Sequence, residues 1–232
     1  MATDPDNRTP GERLGASGAF QATETGRVEA FSDGVFAVAI TILALEMTTP
    51  AHGRGGLLSA LLRQWPAYLG YLTSFAYIGV IWLNHHQAFA RIRVVDRGLH
   101  AANLVLLFTT AALPFPTGVL VDTLREEIAG ADVRTAVVLY AIVAAAMCAS
   151  WVWTYVQLTR RPGLLDDSVE AHYVPHGMVR SAVGVVVYLL AGGLGWAVNP
   201  GIALALFLLL PLFYFATSEG IPRVRRRRTA NR

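Results

Sequence analysis

The sequence has no lysine, a single cysteine and few charged residues of either sign. All 19 basic side chains are arginine, and charged residues make up 15% of the 232 residues, against roughly 25% in soluble domains. The lone Cys148 lies in an apolar stretch, so an intrachain disulfide is excluded and a small buried side chain is expected. The shortage of charge indicates that most of the chain does not face water.

Sequence signatures of nucleotide and zinc sites are also missing. There is no Walker loop, no Gly-x-Gly-x-x-Gly after a strand and no His-Glu-x-x-His. The net charge of +3 comes from arginines at segment ends and not from one basic patch, which argues against a nucleic-acid partner. We therefore expect no cofactor, no bound metal and no catalytic group.

Long apolar runs are what the sequence does have. Hydrophobic residues make up 54% of the chain, and several runs approach the ~20 residues that a helix needs to cross a bilayer. Because no single run dominates, we predict an all-α integral membrane protein with six transmembrane helices. The Leu113-Pro-Phe-Pro-Thr117 stretch should kink or end the third one. The predicted segments span residues 28–48, 65–83, 99–121, 133–158, 179–198 and 202–217.

The distribution of arginine predicts the orientation. Three arginines lie before residue 28, three at 91–97, three at 160–180 and six from residue 223 onward, whereas the other two loops hold two each. By the positive-inside rule both termini are cytoplasmic. Six spans agree with this, because an even number returns the chain to the side on which it starts. The lysine-free, alanine-rich composition is typical of a high-GC bacterium, so we expect a multi-pass protein of the bacterial plasma membrane.

Three regions follow from these patterns. Residues 1–26 are polar, lack the apolar core of a signal peptide and predict a disordered cytoplasmic tail. Residues 27–218 form the six-helix membrane domain. Residues 219–232 form an arginine-rich tail that either lies on anionic headgroups or serves as a stop-transfer flank.

The first segment carries an acid and a hydroxyl near its predicted start. Ionisable residues in a membrane helix are rare, so Asp33 has a functional or anchoring role, or else caps the helix together with Ser32 at the interface. At about 100° per residue, one narrow face of this helix contains neither Ser32 nor Asp33. That face consists of Phe31, Val38, Ile42, Leu45 and Thr49.

The Arg27-x-x-x-Phe31-Ser32-Asp33-Gly34 pattern, followed by an apolar run containing Thr41, resembles the signature of the transmembrane protein 175 family. These proteins are potassium channels of lysosomes and their bacterial relatives. The six-span layout fits the family as well. Other matching residues are Trp82, Asn84, His85 and His86 at the end of segment two, and Asn103 in segment three.

The resemblance implies a homotetramer whose first helices line a central pore and conduct K⁺ passively. By position, the apolar constriction consists of Val38, Ile42 and Leu45, although family members usually have Ile or Leu at the first of these positions. No Thr-Val-Gly-Tyr-Gly carbonyl filter exists in the sequence.

Polar residues flank this expected constriction. The hydroxyl of Thr41 is expected to touch a dehydrating ion, and Thr49 lies further along the same face. Glu46, near the outer mouth, either concentrates cations there or is a solvated charge without effect.

The histidines allow a sharper and a plainer interpretation. His85, His86 and His100 form either a metal site or proton sensor, or a set of hydrogen bonds to Ser32, Asp33 or Asn103, and the second is favoured. Three other functions remain open at this stage: a proton channel of the same family, a secondary transporter, and a membrane-embedded enzyme that uses the histidines with Asp33.

Overall fold

The computed structural model describes residues 10–45, 47–127 and 130–217, with side chains described from residue 25 onward. Eight α-helices and one short 3₁₀ turn at Pro162–Leu164 make up this part of the chain. The helices are α1 (Pro10–Leu45), α2 (Leu57–Arg63), α3 (Trp65–Phe89), α4 (Arg97–Ala111), α5 (Pro114–Glu126), α6 (Ala131–Arg160), α7 (Tyr173–Ala197) and α8 (Pro200–Thr217).

Six stretches of these helices are long and apolar enough to cross a membrane, which confirms the predicted fold class. Helices α4 and α5 together make one stretch, Arg97–Glu126. The break between them lies at residues 112–113, directly before Pro114, because proline lacks an N–H and its ring crowds the preceding turn. The other five are Thr25–Leu45, Trp65–Phe89, Ala131–Arg160, Tyr173–Ala197 and Pro200–Thr217.

The helices extend beyond the predicted segments at the arginine-rich end of the bundle. Helix α1 begins at Pro10, so the structure differs from the predicted disordered tail over residues 10–26. An existing helix propagates into a flanking segment without a new nucleation step. Residues 1–9 and the predicted tail at 219–232 lie outside the described residues.

Helix α6 forms the centre of the bundle. It packs against α4, α5, α7 and α8, while α1 packs against α3, α4 and α5. The closest pairing is between α6 and α7, where glycines allow the backbones to approach. A Cβ atom added at Gly192 would lie 2.7 Å from the Cβ of Ala141. Small residues at such crossings are typical of membrane helix pairs, since lipid offers no hydrophobic force to drive association. Helix α1 therefore lies on one side of the bundle, away from the α7–α8 hairpin.

Two loops are tied together at the arginine-rich end. The backbone N–H of Arg93 donates to the carbonyl of Leu164 at 2.8 Å, linking the α3–α4 loop to the α6–α7 loop. Asp96 caps α4 by accepting the N–H of Leu99 at 2.8 Å and also pairs with Arg161. The Leu99 N–H, with a smaller contribution from Arg161, lowers the pKa of this carboxyl below its usual value. These contacts fix the ends of α3, α4 and α6.

Candidate ion pathway

Helix α1 has one buried face and one exposed face. Ser32, Phe36, Ala39 and Leu43 recur every three or four residues and are at most 1% exposed. A separate face of the helix consists of apolar side chains that the subunit leaves uncovered. The exposed fractions are 58% for Phe31, 56% for Val38, 40% for Ile42 and 76% for Leu45.

This exposed face agrees with the face that helical phase predicts, as far as Leu45. Branched aliphatic side chains dominate it, and Thr41 lies beside them, also exposed. The Thr41 hydroxyl donates to the carbonyl of Val38 at 2.8 Å. Its oxygen lone pairs remain available as acceptors, because a hydroxyl can accept while it donates.

The helical face does not continue to Thr49. Helix α1 ends at Leu45, and Thr49 lies in an exposed segment without regular structure, so the helical phase that grouped it with Val38 does not apply. The side-chain amide of Gln64 donates to the carbonyl of Thr48 at 2.9 Å and ties this segment to the start of α3. Glu46, predicted near the outer mouth, lies outside the described residues.

A buried hydrogen-bond chain joins α1, α4 and α3. Asn103 Nδ2 donates to Ser32 Oγ at 3.0 Å, and His85 Nε2 lies 2.8 Å from Asn103 Oδ1. Because that amide oxygen only accepts, His85 must carry its hydrogen on Nε2. Ser32 in turn donates to the carbonyl of Val28 at 2.8 Å. One polar residue from each of three helices is thereby hydrogen-bonded inside an apolar core.

Aromatic rings enclose His85. Its ring stacks on Phe89 at 4.3 Å between centroids and meets Phe36 edge-on at 5.1 Å, with Trp151 at 6.4 Å. The side chain is fully buried, and its Nδ1 has no hydrogen-bond partner within the described ranges. His85 is thereby packed among rings of α1, α3 and α6.

A second set of contacts joins α1 to α3 closer to the surface. Trp82 Nε1 donates to Asp33 Oδ1 at 2.8 Å, and His86 Nδ1 lies 2.8 Å from Glu29 Oε1. The two rings also stack on each other at 5.8 Å. Since both pairs are spaced four residues apart, two consecutive turns of α1 are held by two consecutive turns of α3.

Two sequence interpretations change at this end of the bundle. The alternative that Ser32 and Asp33 cap a helix does not hold, because α1 begins well before them. His100 does not reach the expected partners, since its Nδ1 bonds the carbonyl of Asp96 at 3.0 Å. Asn84 Oδ1 accepts from Arg180 Nη2 at 2.9 Å, which bonds α3 to α7. Arg27 is exposed on α1.

Sequence reasoning missed three residues that complete these contacts. Glu29 precedes Asp33 by one helical turn, a spacing that points to a shared partner helix. Arg180 is a cation inside the fifth span (Tyr173–Ala197), which by itself suggests a polar partner nearby. Trp151 gives no such signal, because an apolar aromatic in an apolar run looks like many others.

The described part of the chain holds no cluster of side chains suited to bind a metal ion. Over residues 25–45, 47–127 and 130–217, no three side chains of the His, Cys, Asp and Glu types converge as a metal site. His85, His86 and Asp33 serve three separate hydrogen bonds, to Asn103, Glu29 and Trp82.

The chain is similar to known potassium channels. Residues 27–114 match the family model of the endosomal/lysosomal potassium channel TMEM175. A potassium channel of Streptomyces collinus is 42% identical over 200 residues, covering 86% of this chain and 95% of the relative. The crystal structure of a lysosomal potassium-selective channel TMEM175 homolog from Chamaesiphon minutus superposes with a TM-score of 0.73 at 33% identity. That match covers 85% of this chain and 99% of the other.

A human relative bears a different name. The human endosomal/lysosomal proton channel TMEM175 is 35% identical over 97 residues, which cover 38% of this chain and 19% of that protein. The human protein is therefore matched over part of this chain and over less than a fifth of its own length.

Proposed function

Since the chain belongs to the TMEM175 family of channels, we propose that it is the subunit of a potassium-selective ion channel. K⁺ moves passively down its gradient through a pore on the symmetry axis of a homotetramer. The bacterial plasma membrane is the expected location, with both termini in the cytoplasm as the positive-inside rule requires.

The uncovered apolar face of α1 is the single observation that supports this proposal most. Val38, Ile42 and Leu45 are 40% exposed or more, while the other face of the same helix is buried against the subunit. Glu29, Ser32 and Asp33 of α1 bond residues of α3 or α4, whereas Thr41 is exposed. A helix with these polar groups inside and its branched aliphatic side chains outside suits a ring of such helices around a narrow axis.

Four copies of this face would form an apolar constriction. Between Val38 and Leu45 the helix rises about 10 Å, so three rings follow one another along the axis. An apolar ring opposes ion passage by dewetting, since an ion must shed water there with little in return. Conduction then requires a small tilt or rotation of α1 that widens the rings.

Selectivity would come from dehydration and not from backbone carbonyls. K⁺ sheds its water more cheaply than Na⁺, so a narrow apolar passage favours K⁺. The exposed Thr41 oxygens offer partial replacement for lost water. The side chain of Val38 is smaller than that of Ile or Leu, so the opening of the first ring would be wider. Thr49 would lie beside the pore, and Glu46, predicted near the outer mouth, would concentrate cations there.

The contacts between α1 and its neighbours give this tilt a pivot. Hydrogen bonds to Trp82, His86 and Asn103 all hold the cytoplasmic half of the span. The outer half, from Val38 onward, is held by apolar packing alone in the described contacts. We expect the outer half to move more easily, because apolar contacts slide while directional hydrogen bonds do not.

Proton conduction is the second candidate. The name of the human relative as a proton channel favours it, and the matched region includes part of the present membrane domain. Protons and K⁺ would use the same pore, so their fluxes must be measured separately.

Flux through purified protein in liposomes tests both candidates. Vesicles are loaded with K⁺, with Na⁺ or with a pH gradient, and the flux of each ion is followed in parallel. Wild-type protein should pass K⁺ faster than Na⁺. Ile42→Asn should raise the total flux and lower the preference for K⁺, because an amide at the constriction keeps the passage wet.

Ile142→Asn is the matched control. Ile142 is also an exposed isoleucine, but it lies on α6, so its replacement should leave ion preference unchanged. Equal K⁺ and Na⁺ flux in the wild type would contradict selectivity. Flux of protons alone would replace the first candidate with the second.

A further inference from the structure

A cleft opens at the arginine-rich end of the bundle, on the side away from α1. Its volume is about 620 Å³, and it is bordered by α3, α6, α7 and α8. The exposed apolar face of α1 contributes no residue to this cleft. Its lining includes Asn84, Gln87, His176, Val179, Arg180 and Val183.

Among the described residues, Arg180 is a cation of this cleft without an acidic partner. Arg180 Nη1 donates to the carbonyl of Thr217 and Nη2 donates to Asn84 Oδ1, both at 2.9 Å. Both acceptors are neutral, and no Asp or Glu lines the cleft within the described residues. A guanidinium has five N–H groups, so these two bonds leave donors for an anion.

The cleft combines this charge with an apolar rim. Val179 and Val183, one turn apart on α7, are 63% and 45% exposed and line the same opening. Gln87 and His176 add polar atoms beside Arg180. A polar, basic floor beside exposed aliphatic side chains matches a ligand with an anionic head and an apolar chain.

A neighbouring subunit is a poor occupant. Helix α1, which would surround the axis, packs on α3, α4 and α5, while the outer wall of the cleft belongs to α7 and α8. In the proposed tetramer, on which this step rests, the cleft therefore faces lipid. Its end of the bundle is the one that the arginines place at the cytoplasmic leaflet, where anionic lipids concentrate.

We propose that this cleft binds the headgroup of an anionic phospholipid, with Arg180 holding the phosphate and Val179 and Val183 contacting an acyl chain. The site lies apart from the pore, so its occupancy stabilises the α3–α7–α8 end of each subunit independently of the permeant ion. Each subunit has one such site.

Native mass spectrometry of the purified full-length assembly tests the proposal. Phosphatidylglycerol and phosphatidylcholine are titrated in separate experiments, and the lipids retained per subunit give the affinities. Wild-type protein should bind phosphatidylglycerol more tightly. Arg180→Gln should weaken that binding roughly fivefold, the contribution of one basic side chain near an anionic surface.

Val179→Trp fills the opening without removing the charge and should weaken phosphatidylglycerol binding as well. The Val179→Trp variant also tests the lipid-binding proposal if Arg180→Gln fails to fold. Val186→Trp is the control for bulk, since Val186 is a 55% exposed valine of α7 outside the cleft. Arg125→Gln is the control for charge, because Arg125 lies on α5 at the other end of the bundle.

Three results would overturn the proposal. The first is wild-type affinity in either folded cleft variant. The second is equal affinity for the two lipids in the wild type. The third is displacement of phosphatidylglycerol by soluble glycerophosphate at similar concentration, which would show that a free anion and not a lipid occupies the cleft. None of these results depends on ion flux.

Discussion

At the scale of single residues, polar side chains in this bundle serve contacts between helices. Ser32, Asn103 and His85 are each at most 3% exposed, yet each has a partner on another helix or turn. A polar atom buried without a partner loses its hydration with no return. The three residues therefore depend on one another, and the removal of one leaves the next unsatisfied.

Ser32→Ala should destabilise the protein by about 1–3 kcal/mol, because Asn103 Nδ2 then lacks its acceptor. The Tm of the purified protein in detergent, followed by intrinsic fluorescence, should fall. Ser59→Ala is the control, since Ser59 is exposed and its hydroxyl bonds only the carbonyl of Gly56. Equal Tm values for both variants would contradict the structural role of the buried chain.

At the scale of helices, glycines set how closely α6 and α7 approach. Gly192 faces Ala141, whereas the adjacent Gly193 has no atom within 4 Å of an added Cβ. Two neighbouring glycines of the same helix thus differ only in what they face. The α6–α7 pairing is the most extensive in the bundle, so its spacing affects the whole subunit.

Gly192→Ala should reduce stability by about 1–3 kcal/mol, the usual range for an overpacked contact. Gly193→Ala, the matched control, should keep the Tm or raise it slightly, since alanine is the better helix former. Thermal unfolding of both variants in the same detergent provides the measurement. A larger loss in Gly193→Ala would place the close approach on the wrong face of α7.

At the scale of the whole molecule, the proposed assembly would cover one face of the subunit. The apolar side chains of α1 are exposed in the single chain, and the proposed tetramer brings four of these faces to a common axis. Helix α7 also exposes apolar residues, but these lie on the other side of the bundle and would face lipid. Each surface has a valine of nearly equal exposure, Val38 on α1 at 56% and Val186 on α7 at 55%.

Val38→Cys in a Cys148→Ala background should form covalent dimers when the assembled protein is treated with a short bismaleimide. The proposed ring places one such residue of each subunit beside its neighbour's. Val186→Cys in the same background should stay monomeric on a denaturing gel, because lipid separates its copies. Dimers from Val186→Cys alone would move the subunit interface to α7 and remove α1 from the axis.

Sequence alone determined the class of the protein, its six spans and the face of α1 that excludes Ser32 and Asp33. These depend on local properties, namely apolar run length, the 3.6-residue repeat and the break before Pro114. The tertiary structure alone decided which polar residues meet. It paired Asp33 with Trp82, His85 with Asn103 and Arg180 with Asn84, while it left His100 on its own turn. Such partners come from different helices, and their meeting depends on helix rotation and depth, which hydrophobic periodicity constrains only loosely.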